Sequence, residues 1–148
     1  MKIDRATGKI LWTLGGAEDD FHLADGQRFS HQHHARVQSD GSLTVFDNGN
    51  NAHPTRVISF VLDEEEREVK DFSVIYTKPA DEPQTTFMGS AVRLDAARYL
   101  FGWGGWSTLP NAAPPPSVTE LVDGTPAWSL TFDVANVYSY RALPLAPP

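Results

Sequence analysis

Apolar positions rich in Val, Leu, Ile, Phe, Tyr, Trp and Thr come in short runs along the chain, and each run ends in Gly, Pro, Asn or Asp. Such runs are too short for helices and have the composition of strands joined by turns. Lys2 to Asp4, a turn at Arg5 to Gly8, and Lys9 to Leu14 read as one hairpin. Ala35 to Gln38 and Leu43 to Asp47 flank Ser39-Asp40-Gly41-Ser42, where Asp-Gly suits the positive-φ positions of a tight turn. Arg56 to Leu62 pairs with Val69 to Tyr76 across an acidic tip, Asp63 to Glu68. Ala91 to Leu94 pairs with Tyr99 to Trp103, and Val118 to Val122 with Ala127 to Phe132. Five hairpins and no helical period predict an all-β protein. Ala112 to Pro116 and Pro144 to Pro148 cannot join a sheet interior, so they read as loop and mobile terminus.

The hairpins repeat. HARVQSDGSLTVFDNG from His34 aligns with SAVRLDAARYLFGWGG from Ser90, an offset of 56 residues that also relates Gly49 to Gly105. Gly8 and Trp12 align with Gly124 and Trp128 at an offset of 116, two steps of 58. An inner and an outer hairpin therefore alternate, with about 57 residues per four strands, the organisation of a β-propeller blade. The expectation is a partial β-propeller of about two and a half four-stranded antiparallel blades in a single domain, 1–148. Residues 1–16 form the outer hairpin of one blade, 29–78 and 86–132 two full blades, and 133–148 a C-terminal tail. Trp12 and Trp128 are expected to pack between blades. Propellers close with roughly four to eight blades. The ring is then completed by other copies or by the remainder of a longer chain.

Charge narrows the function classes. With 12 Lys+Arg against 19 Asp+Glu the net charge is −7, which disfavours nucleic acid and anionic membranes as partners. No apolar run reaches the length of a membrane span, and the first residues lack a signal-peptide core. Zero Cys excludes disulfides and thiolate metal sites.

Three segments in order carry a family resemblance: IDRATGKILWTLGG (Ile3 to Gly16), FSHQHHARVQSDGSLTVFDNG (Phe29 to Gly49) and MGSAVRLDAARYLFGWGG (Met88 to Gly105). Together they resemble the arylsulfotransferases, β-propeller enzymes of the periplasm or cell exterior. The second segment departs from the family pattern, Gln-His-Asp-Ala-Arg, by carrying His34 where the Asp usually stands. The resemblance implies transfer of a sulfuryl group from an aryl sulfate to a phenol through a sulfo-histidine, with no PAPS or other cofactor. The alternative is a non-catalytic propeller module that binds a partner or assembles with itself.

The residues suit that chemistry. A neutral imidazole can attack sulfur and divide one displacement into two. A guanidinium fork can hold the sulfate oxygens. His33 takes the nucleophile's place by its position in the motif, with His34 or His53 handling a proton or stabilising the anion. Arg36 and Arg93 face the sulfate, and Trp106 stacks on the phenolic ring. Strand alternation would pair His31 with His33 and His34 with Arg36 on common faces. A competing arrangement gathers His31, His33 and His53 as three imidazole ligands of a zinc or copper ion, although their spacing matches no ligand signature and the site is read as metal-free.

Overall fold

The structure is a computed structural model that describes residues 1–50, 52–106, 115–134 and 137–145. Twelve strands occur among them. Strands β1 (Lys2–Ile3) and β2 (Ile10–Trp12) form the N-terminal hairpin. β3 (His33–Val37), β4 (Leu43–Asp47), β5 (Arg56–Asp63) and β6 (Glu68–Thr77) form an antiparallel sheet in sequential order. β7 (Thr85–Phe87) pairs with β10 (Gly105–Trp106). β8 (Ser90–Arg93), β9 (Arg98–Gly102), β11 (Val118–Val122) and β12 (Thr125–Leu130) form a second four-stranded antiparallel sheet. The chain is all-β, a partial and unclosed propeller-like arrangement of two two-stranded and two four-stranded antiparallel sheets among the described residues. The only helical element among the described residues is a single 3₁₀ turn, Asp25–Gln27.

Turn chemistry explains the hairpins. Asp40 accepts hydrogen bonds from the Ser42 N–H (3.0 Å) and hydroxyl (2.6 Å), and Gly41 takes φ +84°. The acidic tip is a turn, with the Asp63 carboxylate capping the Glu65 and Glu66 N–H groups. Two apolar clusters join the layers. Trp12, Leu14, Phe21, Leu23, Val45, Ile58 and Phe60 seal the N-terminal segment onto the first blade. Phe46, Val57, Ala91, Phe101, Trp103 and Leu121 seal the first blade onto the second. Phe101 is central to the latter, with ring centroids 5.4 Å from Trp103, 5.7 Å from Tyr76 and 6.1 Å from Tyr99. Buried Lys78 lies 4.4 Å from the Trp103 ring centroid, a desolvated cation–π contact.

Three expectations are corrected. Trp128 is 51% exposed, whereas Trp12 is 8%. The row Val92, Leu100, Glu120 and Trp128 lies opposite the face that carries Ala91 and Phe101, and no further sheet covers it among the described residues. The mobile terminus is expected from Pro144 onward, and the segment before it is packed: Ser139 and Ala142 are buried, and Ala142 N–H donates to Ser90 Oγ at 3.0 Å. The β7–β10 pair is missing from the ten-strand reading, because two and three residues leave no periodicity to read. Alternation also fails around His34. His33 pairs with Phe46 and Arg36 with Thr44, so β3 spends three residues where β4 spends two, a bulge with His34 at φ +48°. Ala112, Ala113 and Pro114, and Ala146, Pro147 and Pro148 of the terminus, lie outside the described residues.

Phe101→Ala should cost about 3–5 kcal/mol of unfolding free energy by chemical denaturation, whereas Trp128→Ala should stay within about 0.5 kcal/mol. Equal losses would contradict the packing described.

Candidate functional site

The segment Phe46-Asp47-Asn48-Gly49 runs off the end of β4, and each of its residues has a separate task. Phe46 fills the inter-blade core. Asp47 is fully buried, and its Oδ1 accepts from the Ser30 N–H (2.9 Å) and the Gly49 N–H (3.1 Å). Its Oδ2 takes the Arg56 Nε–H at 2.9 Å and lies 3.3 Å from His53 Nε2. Arg56 also donates from Nη1 to the Gly26 carbonyl and from Nη2 to the Arg28 carbonyl. A buried carboxylate is tolerated when surrounded by donors in this way. Gly49 is needed for two reasons: its φ is +73°, and a Cβ there would lie 2.1 Å from the His53 carbonyl oxygen.

Asn48 sets the state of His33. Its Nδ2 donates to the carbonyls of Thr85 and Met88, both at 3.1 Å, so its Oδ1 must be the atom facing His33 Nδ1 at 2.8 Å. The His31 carbonyl lies 3.1 Å from the same Nδ1. Two acceptors on one side place the proton on Nδ1 and leave the lone pair on Nε2, which accepts the Met88 N–H at 3.3 Å.

His34 reaches the next blade. Its Nδ1 lies 3.1 Å from the Ala91 carbonyl oxygen and 3.3 Å from the Ala91 nitrogen, while its Nε2 is buried with no partner among the described residues. Burial, reinforced by the guanidinium groups of Arg36 and Arg141, holds this imidazole below the ordinary histidine value, against the opposing pull of the Ala91 hydrogen bond.

The structure therefore brings His33, His34 and Arg36 together at the bulged end of β3. Arg36 is exposed, and its guanidinium makes no hydrogen bond or ion pair to the described residues. His53 is anchored by Asp47 and the Pro54 carbonyl and lines a 340 Å³ cleft with Asn50, Gln84 and Thr86. Arg93 is engaged elsewhere, by Asp40 and by the Asp95 carbonyl. Trp106 stacks edge-on with Tyr138 at 5.3 Å, and Phe87 meets the same tyrosine at 5.5 Å. No group of three His, Asp or Glu side chains able to hold a metal occurs among the described residues.

Residues 1–109 match the family model described as arylsulfotransferase (ASST). The chain belongs to the arylsulfotransferase family. No curated protein and no solved structure matches it. The matched stretch carries the His33, His34 and Arg36 group and the Asp47 and Asn48 supports of this arylsulfotransferase-family chain. Sequence reasoning overlooked Asn48, Met88 and Arg141. Asn48 was visible only as part of a motif, and the other two carry no local signal because their partners lie far along the chain.

Two measurements check this geometry. Asn48→Ala strips donors from the Thr85 and Met88 carbonyls and should cost about 2–4 kcal/mol in a denaturant melt. The Asp40 carboxyl is pulled down to about 2 by the Ser42 hydroxyl, the Ser42 N–H and Arg93. A depressed carboxyl contributes stability in full above its ordinary value and loses it as pH falls through about 2. A carbon-detected NMR titration should find Asp40 ionised well below the usual carboxylate range, and Ser42→Ala should move its midpoint upward.

Proposed function

We propose that this chain carries a PAPS-independent sulfuryl-transfer centre in which His33 Nε2 is the nucleophile, an aryl sulfate the donor and a phenol the acceptor. Membership of the arylsulfotransferase family supports sulfotransferase chemistry in general. The observation that carries the finer reading is the fixed tautomer of His33, with Nδ1–H held by Asn48 and the lone pair on Nε2. The lone pair exchanges its long contact with the Met88 N–H for the sulfur of the donor. An N–S bond forms as the S–O bond to the aryl group breaks, and the phenolate leaves. Positive charge developing on the ring is stabilised through Nδ1–H by Asn48 Oδ1. In the second half-reaction the acceptor oxygen attacks sulfur, the N–S bond breaks and the acceptor's proton is released to a base. The base is whichever of His34 and His53 does not face the sulfuryl oxygens. Arg36 holds the equatorial oxygens, since transfer of such a group depends chiefly on alignment and charge stabilisation. Trp106 lines the aryl side, and Arg93 takes part only if it leaves Asp40.

A second reading is favoured by the same contacts: both histidines hydrogen-bond the backbone near β8 and so stitch adjacent units of a non-catalytic module. The two readings separate in one experiment. With a chromogenic aryl sulfate and a phenol acceptor, the wild-type chain should turn over and show a sulfated His33 by peptide mass spectrometry. His33→Asn should lose at least about 10²-fold in rate. Full activity in that variant, or no modified histidine during turnover, would sink the nucleophile assignment.

A further inference from the structure

The C-terminal segment, outside the stretch matched by the family model, ends its path beside His34. It is pinned at two points. Ser139 Oγ donates to the Ser117 carbonyl at 2.8 Å and accepts the Gly104 N–H at 3.3 Å. One residue after Arg141, the Ala142 N–H donates to Ser90 Oγ, and a Cβ on Gly102 would lie 2.7 Å from the Ala142 nitrogen. Ser90 is followed by Ala91, whose backbone holds His34. The pinned segment thus delivers Arg141 to the stretch of β8 where His34 docks.

Arg141 is exposed, with its guanidinium 5.2 Å from the Tyr140 ring centroid. Neither Arg141 nor Arg36 meets a carboxylate among the described residues, whereas Arg56, Arg93 and Arg98 are paired with Asp47, Asp40 and Asp95. Both guanidinium groups are close enough to His34 to act on its charge. The Nε2 of that imidazole is buried and has no hydrogen-bond partner among the described residues. Two unpaired like charges beside an unsatisfied buried nitrogen are unfavourable as they stand. An anion with several acceptor oxygens resolves all three at once.

We propose that Arg141 is an anion-binding residue that, with His34 Nε2 and Arg36, grips the sulfate group of the donor ester. That choice of ligand rests on the transfer reaction proposed above. The grip itself is a property of the three side chains.

The test uses the full 148-residue chain. Inorganic sulfate binding is measured by calorimetry, with the His34 ring titrated by NMR in parallel. Sulfate should bind and raise the His34 midpoint, because an anion favours the imidazolium. Arg141→Ala should weaken sulfate at least about tenfold, the loss of one charge-assisted contact. Its thermal midpoint should not change, because the guanidinium is exposed. Arg141→Lys, which keeps the charge and loses the fork, should fall between. Phenyl sulfate should displace inorganic sulfate competitively. Sulfate affinity unchanged in Arg141→Ala, an unmoved His34 midpoint, or no displacement by phenyl sulfate would each overturn the assignment. Arg141-dependent sulfate binding without aryl sulfate turnover would uphold this inference and defeat the transfer reaction. Turnover with an unaltered KM for the donor in Arg141→Ala would do the reverse.

Discussion

The buried carboxylate of Asp47 is the constraint on which the arrangement depends. A charge removed from water costs several kcal/mol unless donors surround it. Here two backbone N–H groups, one guanidinium and one imidazole do so. Each ties down a different piece: the approach to β3 at Ser30, the turn at Gly49, the start of β5 at Arg56, and the loop at His53. With those fixed, Asn48 has one orientation available, and the carbonyls of Thr85 and Met88 meet its amide. The orientation of His33 follows from that of Asn48.

The candidate site is therefore an inter-unit structure. His33 is held from its own blade by Asn48 and touches the Met88 backbone that leads into the next. His34 crosses to Ala91, and the C-terminal segment returns to Ser90 and Gly102. The aromatic cluster of Phe46, Tyr76, Phe101 and Trp103 underlies these contacts and fixes the spacing of the two sheets. Stability and site geometry thus draw on the same interface, and loosening that interface would displace the histidines.

Most of the strand pattern was legible in the chain. The bounds of β4 and β11 follow directly from apolar runs and their flanking turn residues, because a half-buried strand imposes its period on every residue. The two four-stranded sheets follow from the order of the hairpins along the chain. Trp128 shows where that reasoning stops: it matches Trp12 in sequence, but burial depends on what packs against it, and only Trp12 meets a covering layer. His34 marks a second limit. A bulge adds one residue to β3, and the face on which each following side chain points is then decided by the pairing with β4.

The amino-acid sequence alone determined the all-β class, the repeat, the family and the cluster of His33, His34 and Arg36, because these rest on local composition, period and order. Only the tertiary structure decided which nitrogen of His33 holds the proton, that Arg93 is spent on Asp40, and that Arg141 arrives beside His34. Those outcomes depend on atoms brought together from as many as 107 positions apart in the chain, as with His34 and Arg141. Hydrogen bonds and charges act over a few ångströms, and the distances between such atoms exist only once the sheets have packed.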